Sequence, residues 1–199
     1  MHLVEAARGA EILVTVPQVQ ELEPLLDALR AAGVTSRTVV AGRLGGELFD
    51  ALRMLFVVGG HGKAQHAVHT QHVIDNVPGL QVLMCAGAAG ALDAGLVPGD
   101  VVVGACTIEH DYTLRFVQRP LPRWDADDEL LAELRRAADR TGASFRTMFG
   151  AIASGDEDVV DRARALELAK ATGALCVAWE GRGRRAPRAL AGAGSSSFA

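Results

Sequence analysis

Val57-Val58-Gly59-Gly60-His61-Gly62-Lys63, then Cys85-Ala86-Gly87-Ala88-Ala89-Gly90-Ala91-Leu92, then Pro98-Gly99-Asp100-Val101-Val102-Val103-Gly104 are three glycine-bearing turns at the ends of apolar runs, and His110-Asp111 closes the block. Glycines at the carboxyl ends of strands let the backbone approach a ligand, and in α/β sheets the crevice at strand ends is where ligands bind. The first turn ends a strand and opens a helix, so a dinucleotide-binding reading has to be tested. It fails the G-x-G-x-x-G pattern, because no third glycine follows at the required place and the strand is internal to the chain.

Outward from this block, apolar β-branched runs alternate with helical patterns. Ile12 to Val16 reads as a buried strand feeding a helix over Gln18 to Ala32, with Val19, Leu22, Leu25, Leu26 and Leu29 at helical spacing and Gly33 as a stop. Met54 to Val58 is a second strand, and Lys63 to Val77 a second helix ended by Pro78-Gly79. Gln81 to Cys85 and Val101 to Ala105 are further strands. Trp124 to Arg140 has acids at its start, a leucine stripe and a following Gly142, which predicts a third helix. A strand over Met148 to Ala153, a helix over Asp161 to Ala171 and a strand over Ala174 to Trp179 complete the series. Strands apolar on both faces, separated by helices, predict an α/β fold: a three-layer sandwich around a central mixed sheet.

The 199 residues predict one domain, long enough to bury about 70% of its unfolded surface. With 49% hydrophobic and 22% charged residues and a net charge of −4, the composition is that of a soluble globular protein, and nucleic acid is not an expected partner. The start of the chain lacks the basic-then-apolar order of a signal peptide, and no apolar run approaches the roughly 18 residues of a membrane helix. Cys85, Cys106 and Cys176 are widely spaced, odd in number and set in or beside apolar runs, which predicts reduced core thiols and a cytoplasmic protein. His66, His69 and His72 stand at three-residue steps that drift around a helix, so they are read as surface or interface residues, with no metal.

The tail differs. Of the 20 basic residues four fall after Glu180, and none of the 24 acids does, so the first 180 residues carry −8 and the last 19 carry +4. Gly181 to Ala199 has no β-branched residue and no periodicity. This divides the chain into a domain over 1–180 and an irregular Arg/Gly/Ala-rich tail over 181–199, read as the product of a shifted reading frame or as a natural disordered tail.

Taken together, G-x-G-K opening a helix, then G-x-A-G-x-L, then G-D-x-V-V and H-D resemble the nucleoside phosphorylase/hydrolase superfamily, and within it the methylthioadenosine/S-adenosylhomocysteine nucleosidases. The resemblance runs from about Ile12 to Glu180. It implies hydrolysis of the N-glycosidic bond of a purine nucleoside bearing a 5′-thioether, without a cofactor, in a homodimer. Glu21 matches the glutamate that prepares the attacking water. The superfamily's phosphorylases have a phosphate loop where this chain has Pro17-Gln18-Val19-Gln20-Glu21, and a carboxylate there repels phosphate, so hydrolysis is favoured over phosphorolysis.

Ala86 to Leu92 matches the turn along the ribose, with Ala88 replacing a serine or threonine and Gly90 keeping the close backbone approach. Ser154-Gly155-Asp156 matches the S-G-D turn before the base pocket. There Asp158, followed by Val159, replaces the aromatic residue that stacks on adenine, leaving Trp179 or Phe116 as an aromatic wall. Val177-Ala178-Trp179-Glu180 matches V-x-M-E, so Glu180 is expected to gather the ribose hydroxyls and favour positive charge on the sugar. His110-Asp111 is expected to give structural support near the subunit contact.

The family's general acid, the Asp of a downstream S-D motif, has no match, since Ser195-Ser196-Ser197 is followed by Phe198. The resemblance therefore implies an impaired enzyme whose sheet lacks the last strand and helix, leaving Ala174 to Ala178 at an exposed edge. Three alternatives stand beside it: a related nucleosidase such as a futalosine hydrolase, a nucleoside phosphorylase, and a non-catalytic nucleoside-binding remnant.

Overall fold

The computed structural model describes residues 5–113, 115–179 and 189–196. Its strands are β1 (Glu5–Ala6), β2 (Ile12–Val16), β3 (Arg37–Ala41), β4 (Leu44–Phe49), β5 (Met54–Val58), β6 (Val82–Ala91), β7 (Val101–Glu109), β8 (Arg123–Asp125), β9 (Thr147–Ser154), β10 (Cys176–Ala178) and β11 (Ala189–Ser196). The helices are α1 (Val19–Ala31), α2 (Gly62–Asn76), α3 (Asp128–Thr141) and α4 (Arg162–Thr172). The strands form one mixed sheet in the order β1-β3-β4-β5-β2-β6-β10-β9-β7-β11, with β8 on β7, which is the α/β architecture that the alternation predicts.

The sheet has two halves of different construction. In the first, β2 lies parallel between β5 and β6, with Ile12 opposite both Met54 and Val82. Successive strand residues point to opposite faces, and the packing follows that period. Val14, Val16 and Phe56 face α1 and meet Leu22 and Leu26, while Leu13, Leu55 and Val57 face α2 and meet Val73 and Val77. Each of these buried side chains contributes about 1.5–3 kcal/mol over its exposed state.

The second half closes on itself. β11 pairs parallel with β6 and antiparallel with β7, so β6, β10, β9, β7 and β11 form a ring. Here the structure corrects the reading of the tail. Residues 189–196 are a strand, and the last position in the sheet is filled. β10 is not an edge either, since it is flanked by β6 and β9, and Cys176 and Val177 are buried. The physical reason is backbone pairing. Composition gives Ala-Leu-Ala-Gly-Ala-Gly-Ser-Ser no strand propensity, but the N–H and C=O groups of β6 and β7 need partners that any backbone can supply.

The same pairing extends β6. Ala86 to Ala91, read as a turn, continue the strand because β11 and β10 take up their backbone groups. Two further boundaries differ. α3 begins at Asp128 because Asp127 caps it, its carboxylate accepting from the Leu130 N–H at 2.9 Å, while Trp124 belongs to β8 opposite Thr107. The β3–β4 hairpin was not predicted: Gly45 and Gly46 interrupt its apolar pattern, and a two-residue Gly42-Arg43 turn joins Ala41 to Leu44.

Cys106 and Cys176 are buried and Cys85 is partly buried, all three as free thiols; burial pushes the Cys176 thiol up to about 12, which suits a packed residue and not a nucleophile. Among the described residues no helix is long and apolar enough to cross a membrane.

Candidate active site

α1 and α2 both begin where a strand of the first half ends, and their first residues face the strand ends of the ring. Between them lies a cavity of about 190 Å³. One wall is Pro17, Gln18 and Glu21 at the start of α1. A second is Ala88, Ala89 and Gly90 of β6, and a third is the turn Glu157-Asp158-Val159 after β9. Val177 and Ala178 of β10, Trp179 just after it, and His61 complete the lining.

The approach of the first two walls depends on Gly87. A β-carbon there would stand 2.9 Å from Pro17 Cδ, too close for any side chain. The bare backbone lets the Ala88 N–H donate to Glu21 Oε1 at 3.1 Å. Glu21 Oε2 is buried and has no hydrogen-bond partner among the described residues. A cavity-lining carboxylate with one oxygen anchored and the other unpartnered is equipped to accept a proton from water.

The structure thus brings together Glu21, Ala88, Gly90, Asp158, Val159 and Trp179 from distant parts of the chain. Ser154 stands behind the lining: its hydroxyl, 1% exposed with its residue, donates to the Trp179 carbonyl at 3.1 Å. Trp179 is also held by its indole N–H, which donates to the Glu157 carbonyl at 2.7 Å. Phe116 is 91% exposed and does not line the cavity, which leaves the aromatic wall to Trp179. Glu180 lies outside the described residues, as do Gly181 to Arg188.

A charged clamp that sequence reasoning missed fixes the geometry. Lys63 Nζ donates to Glu109 Oε1 at 2.7 Å and to Asp111 Oδ1 at 2.6 Å. Asp111 Oδ2 accepts from the Asp156 N–H at 2.8 Å, and Asp156 Oδ1 accepts from the Lys63 N–H at 2.9 Å. The start of α2 is thereby tied to the S-G-D turn, and through it to the Glu157–Val159 wall. Burial alone would lower the Lys63 amine, but its bonds to Asp111 and Glu109 outweigh burial and raise it; burial would raise Asp111, and Lys63 with the Asp156 N–H outweighs that and lowers it. The signal was present in the sequence: Lys63 is the only Lys or Arg between residues 57 and 111, and Glu109 ends an apolar strand where a carboxylate needs a counter-charge. The H-D turn therefore supports the cavity wall.

His66 is a second correction. It is 5% exposed, not a surface residue, and ties the β5–α2 turn to β2: Nδ1 lies 3.1 Å from the Gly60 carbonyl and Nε2 2.9 Å from the Thr15 hydroxyl. Burial lowers its pKa. Gly60 and Gly62, at φ +90° and +78°, hold the backbone in the left-handed region on either side of His61. His72 instead accepts from the Arg43 N–H at 2.9 Å and braces the β3–β4 turn.

The phosphorylase superfamily model matches residues 11–181. The chain is similar to the 5′-methylthioadenosine/S-adenosylhomocysteine nucleosidase of Treponema pallidum, 34% identical over 116 residues, covering 54% of this chain and 40% of that protein. It is similar to the same-named protein of Thermotoga maritima, 32% identical over 119 residues, covering 58% of this chain and 50% of that one. The matches thus span half or less of the length of these curated relatives. Among solved structures, futalosine hydrolase of Helicobacter pylori superposes with a TM-score of 0.82 at 20% identity, covering 96% of this chain and 85% of that one. That likeness is one of fold.

Proposed function

We propose that this chain, which belongs to the phosphorylase superfamily, hydrolyses the N-glycosidic bond of 5′-thio-substituted adenosines such as methylthioadenosine and S-adenosylhomocysteine. One observation carries the reading. Glu21 lines the cavity with one oxygen anchored on the Ala88 N–H and the other buried without a hydrogen-bond partner among the described residues, at the helix start where the resemblance puts the phosphorylases' phosphate loop. A carboxylate there repels phosphate and activates water. In this reading the sugar lies along Ala88 to Gly90, where no side chain larger than a methyl intervenes. The base lies against Asp158, Val159 and the Trp179 indole, and Glu180 holds the ribose hydroxyls. The substrate partner is a small-molecule nucleoside, and the chain needs no cofactor.

The test is release of adenine from methylthioadenosine in phosphate-free buffer. Turnover that is independent of phosphate is expected, slowed because the family's general-acid Asp has no match in this chain, and Glu21→Gln, which keeps the shape and loses the base, should lower kcat further by about 10²–10⁴-fold. Strict dependence on phosphate would move the chain to the phosphorylases. A second nucleosidase reading, of futalosine hydrolase type, draws on Asp158: an exposed carboxylate offers a base no stacking face, which favours a purine nucleoside other than a plain adenosine.

The same reading includes a cytoplasmic homodimer. Tyr112, Phe116 and Val117, at 49%, 91% and 50% exposure, follow directly on the clamp and would be covered by a second copy. Sedimentation equilibrium of the wild type and of Phe116→Ser measures this: the variant should shift toward monomer.

A further inference from the structure

The cavity holds a pair of side chains that water activation does not use. Gln18 and His61 occupy the N-cap positions of α1 and α2, where a side chain ordinarily bonds back to its own helix. Neither does so. Instead the Gln18 amide Nε2 donates to His61 Nδ1 at 3.0 Å, across 43 residues of sequence. The imidazole stands edge-on to the Trp179 indole, ring centroids 3.9 Å apart and planes at 88°. Both residues line the same cavity as Glu21.

With Nδ1 accepting, the ring proton sits on Nε2. Among the described residues the pair then keeps one donor, His61 Nε2–H, and one acceptor, Gln18 Oε1, without a hydrogen-bond partner. With the base against Asp158, Val159 and the Trp179 indole and the sugar along Ala88 to Gly90, the polar lining left for the 5′ substituent is Gln18 and His61.

We infer that the Gln18–His61 pair makes the chain select, among 5′-thio-substituted adenosines, those whose thioether ends in a charged amino-acid tail over those that end in a bare methyl. The inference rests on the nucleosidase reading above. An α-carboxylate meets the imidazole N–H and an α-ammonium meets the amide oxygen, as charge-assisted bonds. A methyl group instead takes water from both polar atoms and returns no partner, and a site with hydrogen-bonding groups left unpaired discriminates against such a substrate.

The experiment compares kcat/KM for S-adenosylhomocysteine and methylthioadenosine in the wild type, His61→Leu and Gln18→Leu. Neither side chain caps its helix and both are exposed, so the variants should melt with the wild type. The wild type is expected to prefer the amino-acid-bearing substrate by about tenfold or more, and each variant to reduce that preference by about tenfold. A preference for methylthioadenosine in the wild type overturns the inference even if a variant fails to fold. So does a ratio unchanged in both variants. In either case the nucleosidase reading stands. Release of base from neither substrate, with or without phosphate, overturns that reading and the inference with it.

Discussion

The half of the sheet around β2 and β5 and the ring closed by β11 obey different rules. In the first, side chains decide: Leu13, Val16, Leu55 and Val57 are at most 1% exposed, and alternate residues feed alternate helices. In the second, backbone pairing decides: a strand with no residue larger than leucine is held by β6 on one side and β7 on the other. A segment can therefore be strand because its side chains demand burial, or because its neighbours' backbones demand partners. Only the first demand is written in the segment itself. The candidate active site lies along the seam, with Glu21, Gln18 and His61 from the first half and Gly90, Asp158 and Trp179 from the second.

The largest expected effect comes from cutting the clamp across that seam. Lys63→Met leaves Glu109, whose side chain is 5% exposed, and Asp111 without their cation. Breaking a buried pair by removing one partner costs about 3–5 kcal/mol, read as a lower urea midpoint. The loss should fall on turnover as well, since the wall at Asp158 loses its tie. A variant as stable and active as the wild type would mean the halves dock without the clamp.

The contrast itself is tested by a pair of substitutions. Leu13→Ala should cost about 2–5 kcal/mol by opening a cavity in the first half. In the ring, Ala193→Pro removes a ladder N–H between Gly87 and Val102 and should cost about 1–3 kcal/mol, whereas Ala193→Ser, which keeps the backbone, should change stability by less than about 0.5 kcal/mol. Equal losses from proline and serine would break the claim that backbone pairing rules there.

The smallest effect is a pH dependence. Burial, outweighing the Gly60 carbonyl, lowers His66 from 6.5, and burial, outweighing Asp111 and Glu157, lowers His110 from the same value. Below about pH 6.5 the unfolded chain binds protons that the folded chain does not, so stability falls as pH drops through that point and is flat just above it. Comparing urea midpoints at pH 7.5 and 5.5 should show a loss of about 1 kcal/mol, smaller in His66→Gln. The depressed carboxyls of Asp111 and Glu157 act in the same direction only at lower pH, as they titrate below the ordinary carboxylate range.

The sequence by itself determined the α/β class, the order of the main strands and helices and the family resemblance, and it singled out Glu21, Gly90, Asp158 and Trp179, which line one cavity. Burial periodicity and glycine at strand ends are local facts, and each element of the first half carries its own pattern. The tertiary structure alone decided that residues 189–196 complete the ring and that Ala86 to Ala91 are strand, because those outcomes depend on unpaired backbone groups elsewhere in the chain. It alone paired Lys63 with Glu109 and Asp111, 46 and 48 residues away. It also joined Gln18 to His61. No period connects such residues; a charge or an amide finds its partner only once the sheet has set which loop ends meet.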